Sequence, residues 1–401
     1  MKKLPIGVQD FRKIREEDYL YVDKTKILYE IVEKGDVYFI SRPRRFGKSL
    51  MISTLDCMFR CEKELFKGLW IEDKWNWEDK YPVIRVDFSS FKPNTGEELK
   101  DSLSKRMEEI GRKNELKLSE GRYEEKFKDL ISKLKEKYKK NVVVLVDEYD
   151  KPILDHITKR ELAAEMREVL KGFYTIIKAM DGDIKFVMLT GVTKFSKVGV
   201  FSGLNNLNDI TMASYTATLM GYTQEELESN FEEHIKELAK ERKKSVEEIL
   251  ELIKDWYNGY RFTEKEVKVY NPFSTLILFN QKKFDNYWFA SGTPTFLINL
   301  LKEGDYFIPS LENLCAGGIM LNSFEVENVA LEPLLYQTGY LTIRDVELKV
   351  RGTLLYKLTM PNKEVQISFN DILITELTGK KNGEVIDRQE ELYISRWQRG
   401  I

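Results

Sequence analysis

Short apolar runs punctuate the first half of the chain, and long amphipathic stretches separate them. Val37–Ser41, Val83–Phe88, Val142–Val146 and Lys185–Leu189 are strand-like, and Tyr215–Met220 has the composition of a fifth. The run Val142-Val143-Val144-Leu145-Val146 does not alternate apolar with polar, which predicts a strand buried on both faces. Glu97–Asn114, Glu120–Tyr138 and Arg160–Met180 carry the helical period between them. Strands joined by crossovers of that length predict an α/β fold: a parallel sheet covered by helices, with right-handed connections.

The texture changes after Gly221. Thr223-Gln224-Glu225-Glu226 reads as an N-cap with first-turn acids, opening a helical stretch to about Lys243. Ser245-Val246-Glu247-Glu248 repeats the pattern and starts a helix that ends near Asn258-Gly259. From Val267 the chain is mixed and aromatic-rich, with Asn271-Pro272 and Thr293-Pro294 as breakers. Leu335–Arg344 and Leu354–Met360 read as a hairpin-like pair. The organisation expected is therefore a core over 1–221, a helical segment over 222–262, a mixed α+β region over 263–370 and a remainder over 371–401, with no internal repeat.

Composition narrows the class. The chain has 401 residues, 42% of them apolar, enough for two or three packed domains. The 64 basic residues nearly balance the 66 acidic ones, so net charge gives no support for nucleic-acid or membrane binding; nucleic acid remains a possible partner through a local patch only. Cys57, Cys61 and Cys315 with His156 and His234 are too few and too scattered for a disulfide framework or a four-ligand zinc site. The basic start is broken at once by Pro5 and Asp10, and no apolar run reaches the ~20 residues that span a bilayer, so a cytoplasmic protein without a membrane is expected.

The chemistry concentrates in Ser41-Arg42-Pro43-Arg44-Arg45-Phe46-Gly47-Lys48-Ser49, a loop between an apolar strand and an apolar helix. A phosphate cradle needs Gly47 for close backbone approach, Lys48 for the β- and γ-phosphates and the Ser49 hydroxyl for Mg²⁺. Arg42 stands where the pattern usually has its first glycine. The acid pair Asp147-Glu148 at the end of a buried strand supplies the second half, in the crevice where open α/β sheets bind ligands. Its first acid would hold Mg²⁺ and its second would polarise the attacking water. Thr190, ending another strand, could sense the γ-phosphate or merely turn the chain.

These segments, with Gly7–Phe11, Tyr21–Thr25, Val146–Pro152, Leu189–Phe201, Gly203–Asp209 and Trp256–Phe262, make most of the chain resemble the bacterial AAA-ATPase-like family, related to STAND-type and archaeal P-loop ATPases. The resemblance implies an ASCE-type P-loop NTPase core in which Glu148, Lys48 and Thr190 are catalytic. Ser49 and Asp147 would be on the metal side, and Arg42 through Ser49 would hold ATP. It makes Arg42 a family trait and the helices after Tyr222 a lid. It also implies a C-terminal nuclease domain in many relatives, expected here to be missing, with Ser395–Ile401 suggesting truncation or frameshift.

Other signals are weaker. Glu347-Leu348-Lys349 has nuclease-like spacing, but a charged turn between hairpin strands is the better reading. Arg42, Arg44 and Arg45 are all candidates for phosphate charge, and Arg261 for a lid-borne sensor. The expected activity is Mg²⁺-dependent ATP hydrolysis driving a conformational switch toward a protein partner, with oligomerisation possible. The alternatives are a non-hydrolysing regulatory module and a DNA-associated defence protein.

Overall fold

The computed structural model describes residues 1–195, 200–290, 314–318, 321, 331–349 and 352–378. Among these, β1 (Val37–Ser41), β2 (Val83–Asp87), β3 (Val142–Asp147), β4 (Ile184–Gly191) and β5 (Asn208–Asp209) form one parallel sheet in the order β2-β3-β4-β1-β5. Every residue of β1 and β3 is buried, as their unbroken apolar runs predict. The acid-bearing β3 is thus separated from the loop-bearing β1 by β4. The register sets Asp87 beside Asp147, and Ser41 beside Gly191, so the strand ends that carry chemistry meet at one carboxyl edge.

Helices Gly96–Lys113, Tyr123–Tyr138 and Arg160–Ala179 form where the periodicity places them. Thr95 caps the first by accepting from the Glu98 N–H, and Lys and Arg close its last turn. Thr223 with Glu226 and Ser245 with Glu248 form the expected reciprocal capping boxes.

Three expectations are corrected. Tyr215–Met220 is not a strand: Ser214–Thr216 closes into a 3₁₀ turn, and the edge of β1 is taken by Asn208–Asp209. The Thr216 hydroxyl lies within bonding distance of the Ile210 and Ala213 carbonyls, a local alternative to a ladder that strand-like composition conceals. The stretch from Thr223 to Lys243 is two helices, Gln224–Asn230 and Glu232–Arg242, broken at Phe231, which is fully buried and stacked on Phe279. Finally, Leu331–Thr338 is helical, and only Thr342–Leu348 (β7) and Leu354–Thr359 (β8) pair, antiparallel, with Cys315–Gly317 (β6) on the other edge of β8. Gly339, at φ +93, ends that helix, while the Tyr340 N–H reaches back to the Leu335 carbonyl at 2.8 Å.

Apolar packing crosses the boundaries expected at 221 and 262. One core joins the parallel sheet to Tyr260, Phe262, Trp288, Leu331, Leu334 and Phe369. A second joins Leu20 and Val22 of the N-terminal segment to Leu227, Phe231, Ile249, Tyr257 and Phe279. Glu347, in the nuclease-like triplet, lies on hairpin strand β7 and pairs with Lys349 at 2.5 Å and with Lys357. The charged-hairpin reading accounts for it. Thr293-Pro294 and Ser395–Ile401 lie outside the described residues.

Candidate nucleotide site

The loop after β1 turns sharply into the helix Lys48–Phe59. Arg45 sits at φ +71 and Gly47 at φ +93, the left-handed region where glycine carries no Cβ penalty. Gly47 is the residue before the helix, so the helix N-terminus opens into the loop, where backbone N–H groups and the dipole favour an anion. Lys48 is buried and donates to the Arg42 carbonyl at 2.9 Å and the Pro43 carbonyl at 3.0 Å. Burial pulls its pKa down, opposed by Glu148, Asp147 and Asp150 nearby.

Asp147 ends β3 completely buried. Its Oδ1 accepts from the Thr190 hydroxyl at 2.6 Å and from the Glu148 N–H at 3.1 Å. Its Oδ2 is buried with no hydrogen-bond partner among the described residues. An orphaned carboxylate oxygen is costly, and a cation would satisfy it. Among the described residues no group of three or more His, Cys, Asp or Glu side chains is placed to hold a metal unaided. The pair Asp147 and Ser49 nevertheless fits Mg²⁺, which takes one or two protein ligands and completes its shell with water and substrate phosphates.

Glu148 holds φ +49, an unusual conformation for a non-glycine residue, and one that costs energy unless its surroundings fix it. The surroundings do. The Tyr149 N–H donates to the Thr190 carbonyl at 3.0 Å. Asp150, buried, accepts from the N–H groups of Val192 at 3.0 Å and Thr193 at 2.6 Å and from the Thr193 hydroxyl at 2.7 Å. Asp150 therefore bolts the turn after β3 to the turn after β4, and the strained Glu148 lies between. Burial raises the Glu148 pKa; Lys48 opposes this, while Asp150, Asp147 and Asp87 reinforce it.

Lys48, Ser49, Arg44, Arg45, Glu148, Lys151 and Ser89 line one cleft of about 400 Å³, together with Tyr222, Pro272 and Phe273. An apolar pocket adjoins it and shares Pro5, Gly47, Leu50, Tyr222 and Pro272. The cleft thus brings together the loop and the second acid, with Asp147 and Thr190 directly behind.

Two arginines lie elsewhere than their charge suggested. The Arg42 guanidinium is buried and donates to the carbonyls of Ser41 and Thr211 at 2.8 Å and Thr216 at 3.2 Å, with its face 4.4 Å from the Phe262 ring centre. Its pKa is drawn down to about 10 by burial. It anchors the loop, leaving its carbonyl for Lys48. Arg261 is likewise spent on the carbonyls of Thr263, Lys265, Glu264 and Arg344, so it is not a lid-borne sensor. Phe46, expected among the ATP-holding residues, is instead buried between Tyr260 and Phe262, and sequence reasoning missed Asp150, whose polar partners lie more than 40 residues away.

A parallel sheet with this strand order, a Gly-Lys-Ser loop after β1 and an acid pair after β3 define a P-loop NTPase-like protein. The family model for predicted AAA-ATPases, named AAA-ATPase-like, matches residues 5–201. A protein of Azotobacter chroococcum mcd 1, described as an uncharacterized protein in the vnfD 5' region, is 42% identical over 374 residues, covering 93% of this chain and 70% of the relative. The chain belongs to the AAA-ATPase-like family, whose members are described as predicted AAA-ATPases. No solved structure matches it. Among the described residues, no helix is long and apolar enough to cross a membrane.

Proposed function

We propose that the protein is a Mg²⁺-dependent ATPase whose nucleotide state is passed to its C-terminal region. The observation that carries this reading is the Thr190–Asp147 bond, which fixes one acid behind the loop while Glu148 faces the same cleft as Lys48 and Ser49. Ser49 and Asp147 would hold Mg²⁺, which when bound neutralises phosphate charge. Glu148 accepts a proton from a water whose oxygen bonds to the γ-phosphorus. The bond to the bridging oxygen breaks, its electron pair stays on ADP, and phosphate leaves. Burial raises the Glu148 pKa, which strengthens it as a proton acceptor. The apolar pocket bordered by Tyr222 and Leu50 supports placing the adenine ring of ATP there.

The test is ATP and GTP binding with and without Mg²⁺, followed by single-turnover hydrolysis. Glu148→Gln should bind ATP as the parent chain does and hydrolyse it about 100-fold more slowly or worse. Lys48→Ala should lose binding. Parent protein that binds ATP tightly without turning it over would instead be a nucleotide-gated regulatory module.

A further inference from the structure

We propose that Arg44 is the arginine that neutralises developing γ-phosphate charge, acting within its own chain. This rests on the ATPase reading above and assigns a role within that site. The argument is one of elimination among the described residues. The basic side chains lining the cleft are Arg44, Arg45, Lys48 and Lys151. Lys48 already belongs to the phosphate loop. Lys151 forms an ion pair at 2.8 Å with Asp155, which caps the end of its short helix. Arg45 lies over the Phe273 ring at 4.7 Å and is otherwise engaged. Arg42 and Arg261, the other candidates, are consumed by backbone carbonyls. The cleft lining contributed by Tyr222, Pro272, Phe273 and Leu276 carries no charge.

Arg44 differs from all of these. It is half-buried, and its guanidinium forms no hydrogen bond or ion pair among the described residues, while its backbone is held by the Trp288 indole N–H, which donates to the Arg44 carbonyl at 3.2 Å. A main chain fixed from behind, with a free planar cation in the phosphate cleft, is the arrangement that stabilises transition-state charge with little reorganisation.

The experiment compares the parent chain with Arg44→Ala and Arg44→Lys. Measured are ADP affinity, affinity for ADP with aluminium fluoride (a mimic of the transferring phosphoryl group) and ATP turnover. Arg44→Ala should bind ADP within about threefold of the parent, lose most of the extra affinity for the aluminium fluoride complex, and turn over at least about 100-fold more slowly. Arg44→Lys should recover part of both. Unchanged turnover and aluminium fluoride affinity in Arg44→Ala would overturn the proposal. So would recovery of activity on mixing Arg44→Ala with Lys48→Ala, because the arginine would then be acting on a neighbouring chain. A parent chain that binds no ATP would instead remove the ATPase reading itself.

Discussion

Glu364 sits in the interior, accepting from the Ser274 hydroxyl at 2.9 Å and the Trp288 N–H at 2.8 Å, while its second oxygen has no hydrogen-bond partner among the described residues. Burial raises its pKa from 4.5 to about 7. The folded chain therefore keeps a proton that the unfolded chain releases over that window. Its stabilising effect is complete below pH about 4.5 and is lost as pH rises through about 7, to the extent of about 3 kcal/mol by pH 8. Glu364→Gln, equal in volume and uncharged, should flatten this dependence. In thermal unfolding between about pH 5 and 8, the parent should lose stability relative to the variant; parallel curves would refute the assignment. Residues of this kind mark how far single positions could be read. Lys48, Ser49, Asp147 and Glu148 were visible because a motif requires local order. Asp150, Glu364 and the anchoring use of Arg42 were not, because their partners come from distant parts of the chain.

The phosphate loop as an element is held by more than its own turn. Phe46 is buried, with ring centres of Tyr260 and Phe262 at 4.8 and 5.3 Å, both roughly edge-on. Phe46→Ala should cost about 3–5 kcal/mol through the cavity it opens. Urea denaturation would measure this, and a loss under about 1 kcal/mol would show the slot collapsing without penalty. The elements themselves were largely legible: β1 to β4, the three crossover helices and the capped helices after Thr223 and Ser245 follow from burial period and cap chemistry. The misread segments share a cause. Tyr215–Met220 and the start of Leu335–Arg344 are rich in strand-forming residues, yet side-chain-to-backbone bonds at Thr216 and the helix-ending Gly339 decide their shape.

Across the whole molecule, the loop and the C-terminal region meet at several points. Trp288 bonds the Arg44 carbonyl, Phe262 covers Arg42, and the Lys194 N–H donates to Gln337 just beyond β4. At Gly339 a Cβ would lie 2.8 Å from the Pro43 Cβ, at a φ that already strains any other residue. Gly339→Ala should therefore weaken ATP binding about tenfold, although it reaches the site only by pressing on the loop. Gly352→Ala is the control: it has similar positive φ but nothing within 4 Å, so it should leave affinity intact. Equal affinities for both variants in an ATP titration would disconnect the C-terminal region from the loop. Sequence alone determined the parallel core, the Gly-Lys-Ser cradle and the acid pair, because strand burial, tight turns and phosphate chemistry each impose rules on adjacent residues. Tertiary structure decided that β4 lies between loop and acids, that Thr190 grips Asp147, and that Arg44 alone of the cleft arginines has no side-chain partner among the described residues. Those outcomes depend on which distant groups satisfy one another, and no local pattern records that.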